Sequence, residues 1–443
     1  MNMIPQLFER FKDDFAHSKK GQERSQWFIY ALLSVIIPFV SSKTSNLLRC
    51  LHFLFGLSHI TQRRFYTFMA SSKIPWKNLW KSLRMAIPEP GTDQRVIIAL
   101  DDCINPKTGK KIFACHKFFD HAAKDNQSSY PWAQNIVFAG LLTKIKGRWA
   151  CLPLAFRFYH PQKAFEQKEV RMGREKLEFK NKLNQAVDML VDLYQDFNLS
   201  ILAVADSWFG NNGLWKPAYE KLGKNINLLS RLRCNVNLYD LPQSTSENKR
   251  GRPRKYGDSL GNVADLAQQY HRLAQPYKIG LYGKNREIIA FDRLVMLKTI
   301  KRSVRVVWVF HKTRYVALFC TDLTLSVQQI IEYYGARWKI ESGFKELKQE
   351  IGSTQTQCRD ALAVSNHLNF CMMATSVIWV YAMHLQKTPS RRHAVKGRNH
   401  FAFSDVRRDM CKAIMKENFY GICTQKHKTM KNYIVTTMLR MAA

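Results

Sequence analysis

Acidic residues are scarce: 34 Asp plus Glu stand against 69 Lys plus Arg, a formal net charge of +35. Such an excess resists compaction through self-repulsion, so it points to a polyanionic partner, with nucleic acid first and an anionic membrane surface second. Long apolar runs are also lacking. The longest, Trp27 to Val40 and Cys371 to Leu385, fall short of the roughly 20 residues of a spanning helix, and the first is broken by Ser34 and Pro38. The first residues, MNMIPQLFERFKDDF, carry mixed charge and no secretory pattern. Ten cysteines occur without a single C-x-x-C pair, which excludes a zinc ribbon and favours reduced thiols in a cytosolic protein over a disulfide framework.

What is present suffices for a sizeable core and several modules, since 46% of 443 residues are apolar. Residues 1–90 read as helical, with the basic-aromatic clusters SHITQRRFYTF and PWKNLWKSL. PEPGTD, at Pro88 to Asp93, is a linker-like break. VIIALDD (Val96 to Asp102), NIVFAGLL (Asn135 to Leu142) and WACLPLAFRFY (Trp149 to Tyr159) then form a strand series, with Gly147 at a hairpin turn. A helix is expected from Glu169 to Phe197, then a strand ending at Asp206, a helix over Asn212 to Leu222 and a strand INLLSRL. This order predicts an α/β core with a mixed sheet. A polar loop and short strand-like pieces interrupt it over 235–300. SVRVVWVF and YVALFCTD restore it before a long helix from Ser326 to Leu347, and the tail beyond Lys387 is basic and helical in parts.

The strongest local pattern is YYGARWKIESGFKELKQEIG, Tyr333 to Gly352. At roughly 100° per residue, Tyr334, Arg337, Glu341 and Lys348 fall within about 60° of arc on one helix face. Ile340, Phe344, Leu347 and Ile351 make an adjoining apolar stripe that can dock the helix on a core. A carboxylate among Arg, Lys and a phenol suits phosphate handling, although ordinary solvated i,i+4 pairs give the same spacing. Asp101 and Asp206 each end a short apolar run, and strand ends of an α/β sheet are where ligands bind. Two such aspartates and a helix-borne glutamate would repel one another unless cations bind, which suits two divalent ions.

The order Asp101, Asp206, Glu341, with Y-x2-R-x3-E-x6-K around the glutamate, resembles bacterial insertion-sequence transposases of the DDE type, in the branch bearing the Tyr-Arg-Glu-Lys signature. The likeness spans Val96 to Gly352. It implies a ribonuclease-H-like mixed-sheet core with a β-rich insertion, plus a helical N-terminal region and a basic C-terminal tail. The implied boundaries are a helical DNA-binding region at 1–90, a first part of the core at 91–232, the insertion at 233–322, the rest of the core at 323–386 and a basic region at 387–443. By the same resemblance Asp101, Asp206 and Glu341 are the metal ligands for two Mg²⁺ or Mn²⁺ ions, while Tyr334, Arg337 and Lys348 contact phosphates of the element's end. The implied partners are terminal inverted repeats and target DNA, bound by a homodimer in the bacterial cytoplasm and on the nucleoid, with no membrane. LDDC offers both Asp101 and Asp102. The family's first aspartate precedes one residue and then Ser or Thr, which favours Asp101 with Cys103 in the hydroxyl's place, and strand alternation lets only one of the two face a site.

Three further features have two readings each. KRGRPRKYG (Lys249 to Gly257) resembles a minor-groove hook, yet also suits a mobile basic loop on phosphates; either way Arg252 and Arg254 add affinity. Trp208 either stacks on a base or packs as a core aromatic, and the area of an indole favours the core. His116 and His121 read as surface or hairpin residues, because Mg²⁺ prefers oxygen.

Overall fold

The computed structural model describes residues 3–37, 42–53, 55–120, 123–242, 254–281, 283–312, 314–393 and 400–416. It opens with helices α1 (Met3–Asp13), α2 (Lys19–Ile36), α3 (Thr44–Phe53), α4 (Gln62–Met69) and α5 (Trp76–Met85). Ser18 and Thr61 cap α2 and α4 by accepting from the backbone N–H groups of Gly21 and Arg64.

The mixed α/β arrangement is observed as expected. A 12-stranded sheet is built on β1 (Arg95–Pro106), β2 (Trp132–Ile145), β3 (Arg148–Tyr159), β4 (Ser200–Ala205) and β5 (Ile226–Arg231). Their spatial order is β3-β2-β1-β4-β5. β1, β2 and β3 pair antiparallel, whereas β1–β4 and β4–β5 are parallel, the pattern of a ribonuclease-H-like core. The β2–β3 turn is tight because Lys146 and Gly147 both adopt positive φ, 49° and 77°. The sheet continues past β5 through β8 (Arg314–Cys320), β7 (Arg302–His311) and β6 (Lys284–Leu297).

Helix α6 (Lys182–Phe197) is shorter than expected. Its apolar face starts only at Leu183, and Asn181 caps it through the Asn184 N–H at 2.8 Å. The charged stretch before it, where the sequence suggested helix, instead holds a two-residue hairpin, Arg171–Met172 against Glu175–Lys176. The region after β5 also differs from short strand-like pieces: it contains a helix, Val263–Tyr270, and β6 runs 14 residues. Helix α7 (Asn212–Leu222) follows β4.

The expected long helix after β8 is two helices, α8 (Val327–Arg337) and α9 (Lys339–Lys345), followed by a wide π turn over Glu346–Glu350. Trp338 separates them with φ −56° and ψ −15°, its N–H tightening onto Gly335 O. Beyond lies α10 (Ala361–His384), then α11 (Phe403–Lys416). Helix α10 is longer than its apolar stretch because its first half carries buried polar residues with partners. Asn366 accepts from Trp76 Nε1 at 2.6 Å, Asn369 from Trp80 Nε1 at 2.8 Å, and His367 Nε2 meets Ser42 O at 2.6 Å. Among the described residues it is the helix long and apolar enough to cross a membrane, and 83% of its most apolar window is buried inside the protein. One continuous apolar core joins the N-terminal helices, the sheet and α10, with Phe28 against Phe370 at 5.2 Å between ring centroids.

Candidate active site

Register brings the two strand-end aspartates together. Leu100 pairs with Ala205 across the parallel β1–β4 ladder, so Asp101 and Asp206 follow on neighbouring strands about 4.8 Å apart. Asp206 is fixed by the turn it opens: its carboxylate accepts the N–H groups of Trp208 and Phe209 at 3.0 and 2.9 Å. Its carbonyl accepts Ser230 Oγ at 2.7 Å, and Gly210 makes that approach possible, since a Cβ there would lie 1.9 Å from Ser230 Oγ.

Asp101 and Asp102 face opposite sides of β1. Asp102 accepts from Lys182 Nζ and Asn135 Nδ2, both at 2.8 Å, and is thereby neutralised on the α6 side. Asp101 instead meets Arg337 at 3.3 Å on the α8 side. Arg337, 9% exposed, reaches Glu341 with its other nitrogen at 3.5 Å, so one guanidinium bridges two carboxylates. Its Nε is buried without a partner. Burial pushes Asp101 up to about 7, the Arg337 charge pulling against this and Asp206 adding to it. Burial also raises Glu341, again opposed by Arg337.

Tyr334 packs under Arg337, 5.7 Å from guanidinium carbon to ring centroid. Burial raises its phenol, with Arg337 and Arg231 opposing and Asp206 contributing, so all three charges lie near it. Lys348 Nζ donates to Ile104 O at 2.9 Å. The sequence stripe therefore does lie along the end of β1, despite the break at Trp338. Ile340, Leu347 and Ile351 are buried beneath it, and Phe344 meets Phe138 edge-on at 5.1 Å.

Other expectations fare differently. Trp208 is 45% exposed, against the core reading: the Asp206 turn projects it outward, where Lys182 lies 5.4 Å from its ring. His116 fits the hairpin reading better than the surface one, on a short strand, Cys115–Lys117, paired antiparallel with β2. It is half-buried, with Nε2 3.1 Å from His160 Nδ1, and burial with this neighbour lowers His160 to about 4. Arg254 is exposed and 3.7 Å from Asp258, while Arg252 and His121 lie outside the described residues. Sequence reasoning missed Lys182 and Asn135, which carry no local motif, and Arg231. Arg231 ends β5 beside the strand bearing Asp206, so the strand-end rule that selected the aspartates marks it too.

Chemically, the donor set is all oxygen, which suits a hard divalent ion. Asp101 and Asp206 fit such an ion, being adjacent like charges in a part-buried place. Glu341 is linked to Asp101 through Arg337, and among the described residues no three His, Cys, Asp or Glu side chains gather closely enough to hold a metal.

No curated protein matches the chain. Among solved structures it is similar to the NurA nuclease from Sulfolobus solfataricus at 9% identity, covering 63% of this chain and 86% of that one. The TM-score is 0.21, too low to carry weight. Residues 57–279 match the family described as DDE superfamily endonuclease, a stretch that includes Asp101 and Asp206. That match takes in half of the sequence, and the chain belongs to the DDE superfamily endonucleases, which are nuclease-type enzymes that typically use divalent metals.

Proposed function

We propose that the protein is a DNA transposase of the insertion-sequence type, in the branch with the Tyr-Arg-Glu-Lys signature. The observation that carries this reading is that Asp101 and Asp206 stand at the ends of paired strands while Arg337 bridges Asp101 to Glu341. Asp101 and Asp206 would hold the divalent ions, Mg²⁺ or Mn²⁺, and Glu341 would complete the set on leaving its pair with Arg337. When bound, the ions supply Lewis-acid activation of the attacking oxygen and stabilise the leaving one. Tyr334, Arg337 and Lys348 are assigned to phosphates of the element's end, and Arg252 and Arg254 to DNA away from the cut. Arg337 already sits between the carboxylates, where it offsets their repulsion and can engage a phosphate without leaving the site. Asp102 is assigned a supporting part, since Lys182 and Asn135 hold it on the other face.

Two displacements make up the reaction. Water attacks the phosphorus at the element's end, the P–O3′ bond breaks, and a 3′-OH and a 5′-phosphate result. That 3′-OH then attacks a target phosphodiester, forming a new P–O bond and releasing a target 3′-OH. The substrates are terminal inverted repeats and target DNA, and acting on two ends favours a homodimer on DNA.

The test incubates the protein with Mg²⁺ and DNA bearing the inverted repeats that flank its coding region. Wild type is expected to give 3′-OH cleavage and joined product. Asp101→Asn, Asp206→Asn and Glu341→Gln should each lose at least about 10³-fold, because each removes a charge that acts on the reacting phosphate. Asp102→Asn should retain cleavage. Cleavage without joining would reduce the reading to a nuclease, and loss in Asp102→Asn with activity in Asp101→Asn would reverse the assignment on β1.

A further inference from the structure

The turn that carries Asp206 has a second face. A cavity of about 590 Å³ opens between Ser207 and Asn211 on that turn and the base of the insertion. Arg231, Arg233 and Lys298 line it, and among the described residues no Asp or Glu does. Lys298 Nζ stands 3.8 Å from the centre of the Tyr239 ring, so an aromatic face steadies its charge. Ser230, whose hydroxyl is bonded to the Asp206 carbonyl, immediately precedes Arg231 and ties this cavity to the carboxylates.

Three cations without an acid repel one another, so the cavity is built for an anion. Its size is that of a small-ligand pocket, well beyond a lone phosphate, and Tyr239 offers a flat surface for a base. We propose that the cavity binds a 5′-phosphorylated nucleotide, its phosphate on Arg233 and Lys298 and its base along Tyr239. Such a nucleotide can be free or can terminate a strand. Taking the reading of a DNA-cutting site next door, the proposal commits to the strand end, because breaking the P–O3′ bond creates a 5′-phosphate beside Asp206.

The test is calorimetric titration in EDTA, where binding is measured without cleavage. The probes are a 5′-phosphorylated trideoxynucleotide, its 5′-hydroxyl twin, dAMP and inorganic phosphate. The phosphorylated trinucleotide should bind at least about tenfold tighter than its twin, and Arg233→Ala and Lys298→Ala should each weaken it by about ten- to a hundredfold. Lys216→Ala, at an exposed lysine outside the cavity, should not, and all three variants should melt like wild type. Equal binding of the twin, unchanged binding in an Arg233→Ala Lys298→Ala double variant, or equally tight inorganic phosphate overturns the proposal. dAMP binding as tightly as the trinucleotide overturns the strand-end assignment. Failure here with cleavage intact faults the cavity alone, whereas intact binding with no cleavage faults the neighbouring site's reading.

Discussion

Asp101 and Asp102 are identical side chains on consecutive residues, yet one faces a shared arginine and the other a private lysine. Alternation along a strand makes that division inevitable, and alternation is legible in sequence; which face holds the partner is not, because Arg337 and Lys182 arrive from helices far along the chain. Glu346 shows the same dependence on distant partners. It is mostly buried, with Trp379 Nε1 donating at 3.2 Å and Arg148 in an ion pair at 3.9 Å. Burial pushes its carboxyl up to about 7 against those favourable contacts. A folded pKa above the unfolded one adds stability below pH 4.5, and this is lost as pH rises through about 7. Glu346→Gln, neutral at every pH, should therefore gain on wild type in thermal midpoint between pH 5 and pH 8.5, a swing on the order of 2 kcal/mol. A pH-independent difference would show that Glu346 is not titrating in the folded protein.

At the scale of elements, the helices that hold the site illustrate what periodicity can and cannot announce. The spacing of Tyr334, Arg337 and Glu341 predicts a shared edge, and Arg337 does touch both Tyr334 and Glu341 across the join of α8 and α9. The break at Trp338 was invisible, since no Pro or Gly stands there and the cause is tertiary: Ile340 and Gly343 seat α9 against the sheet. The polar first half of α10 escaped notice for a related reason, as its amides are satisfied by tryptophans some 290 residues earlier in the chain. Asn366 is the clearest case. It accepts from Trp76 and donates to Met69 O and Ser71 O at 2.8 and 3.0 Å. Asn366→Ala would strand an indole N–H and two carbonyls in a dry place, at a cost on the order of 3 kcal/mol. Urea unfolding should show it, and a loss below about 0.5 kcal/mol would mean that water reaches these groups.

For the whole molecule, the net charge of +35 was the first thing legible and bears on binding more than on fold. If the partner is duplex DNA, log K should fall linearly with log salt, and six to ten phosphate contacts would lose about 10³- to 10⁵-fold between 50 and 200 mM. Arg254→Ala should flatten that slope by about one unit. A slope near zero would remove DNA from the account. The strand order β3-β2-β1-β4-β5 was foreseeable only in outline, because register and pairing depend on contacts between segments a sequence lists far apart.

The core that runs unbroken from Phe28 to Phe370 has a consequence for how such a chain can change over generations. A protein whose N-terminal helices and catalytic sheet share one interior cannot exchange those helices by simple recombination, because a foreign graft must match the packing of α10. New specificities are then expected to accumulate by surface substitution within a lineage, and chimeras joined between Met85 and Arg95 should be insoluble unless α10 is transferred along with the N-terminal helices.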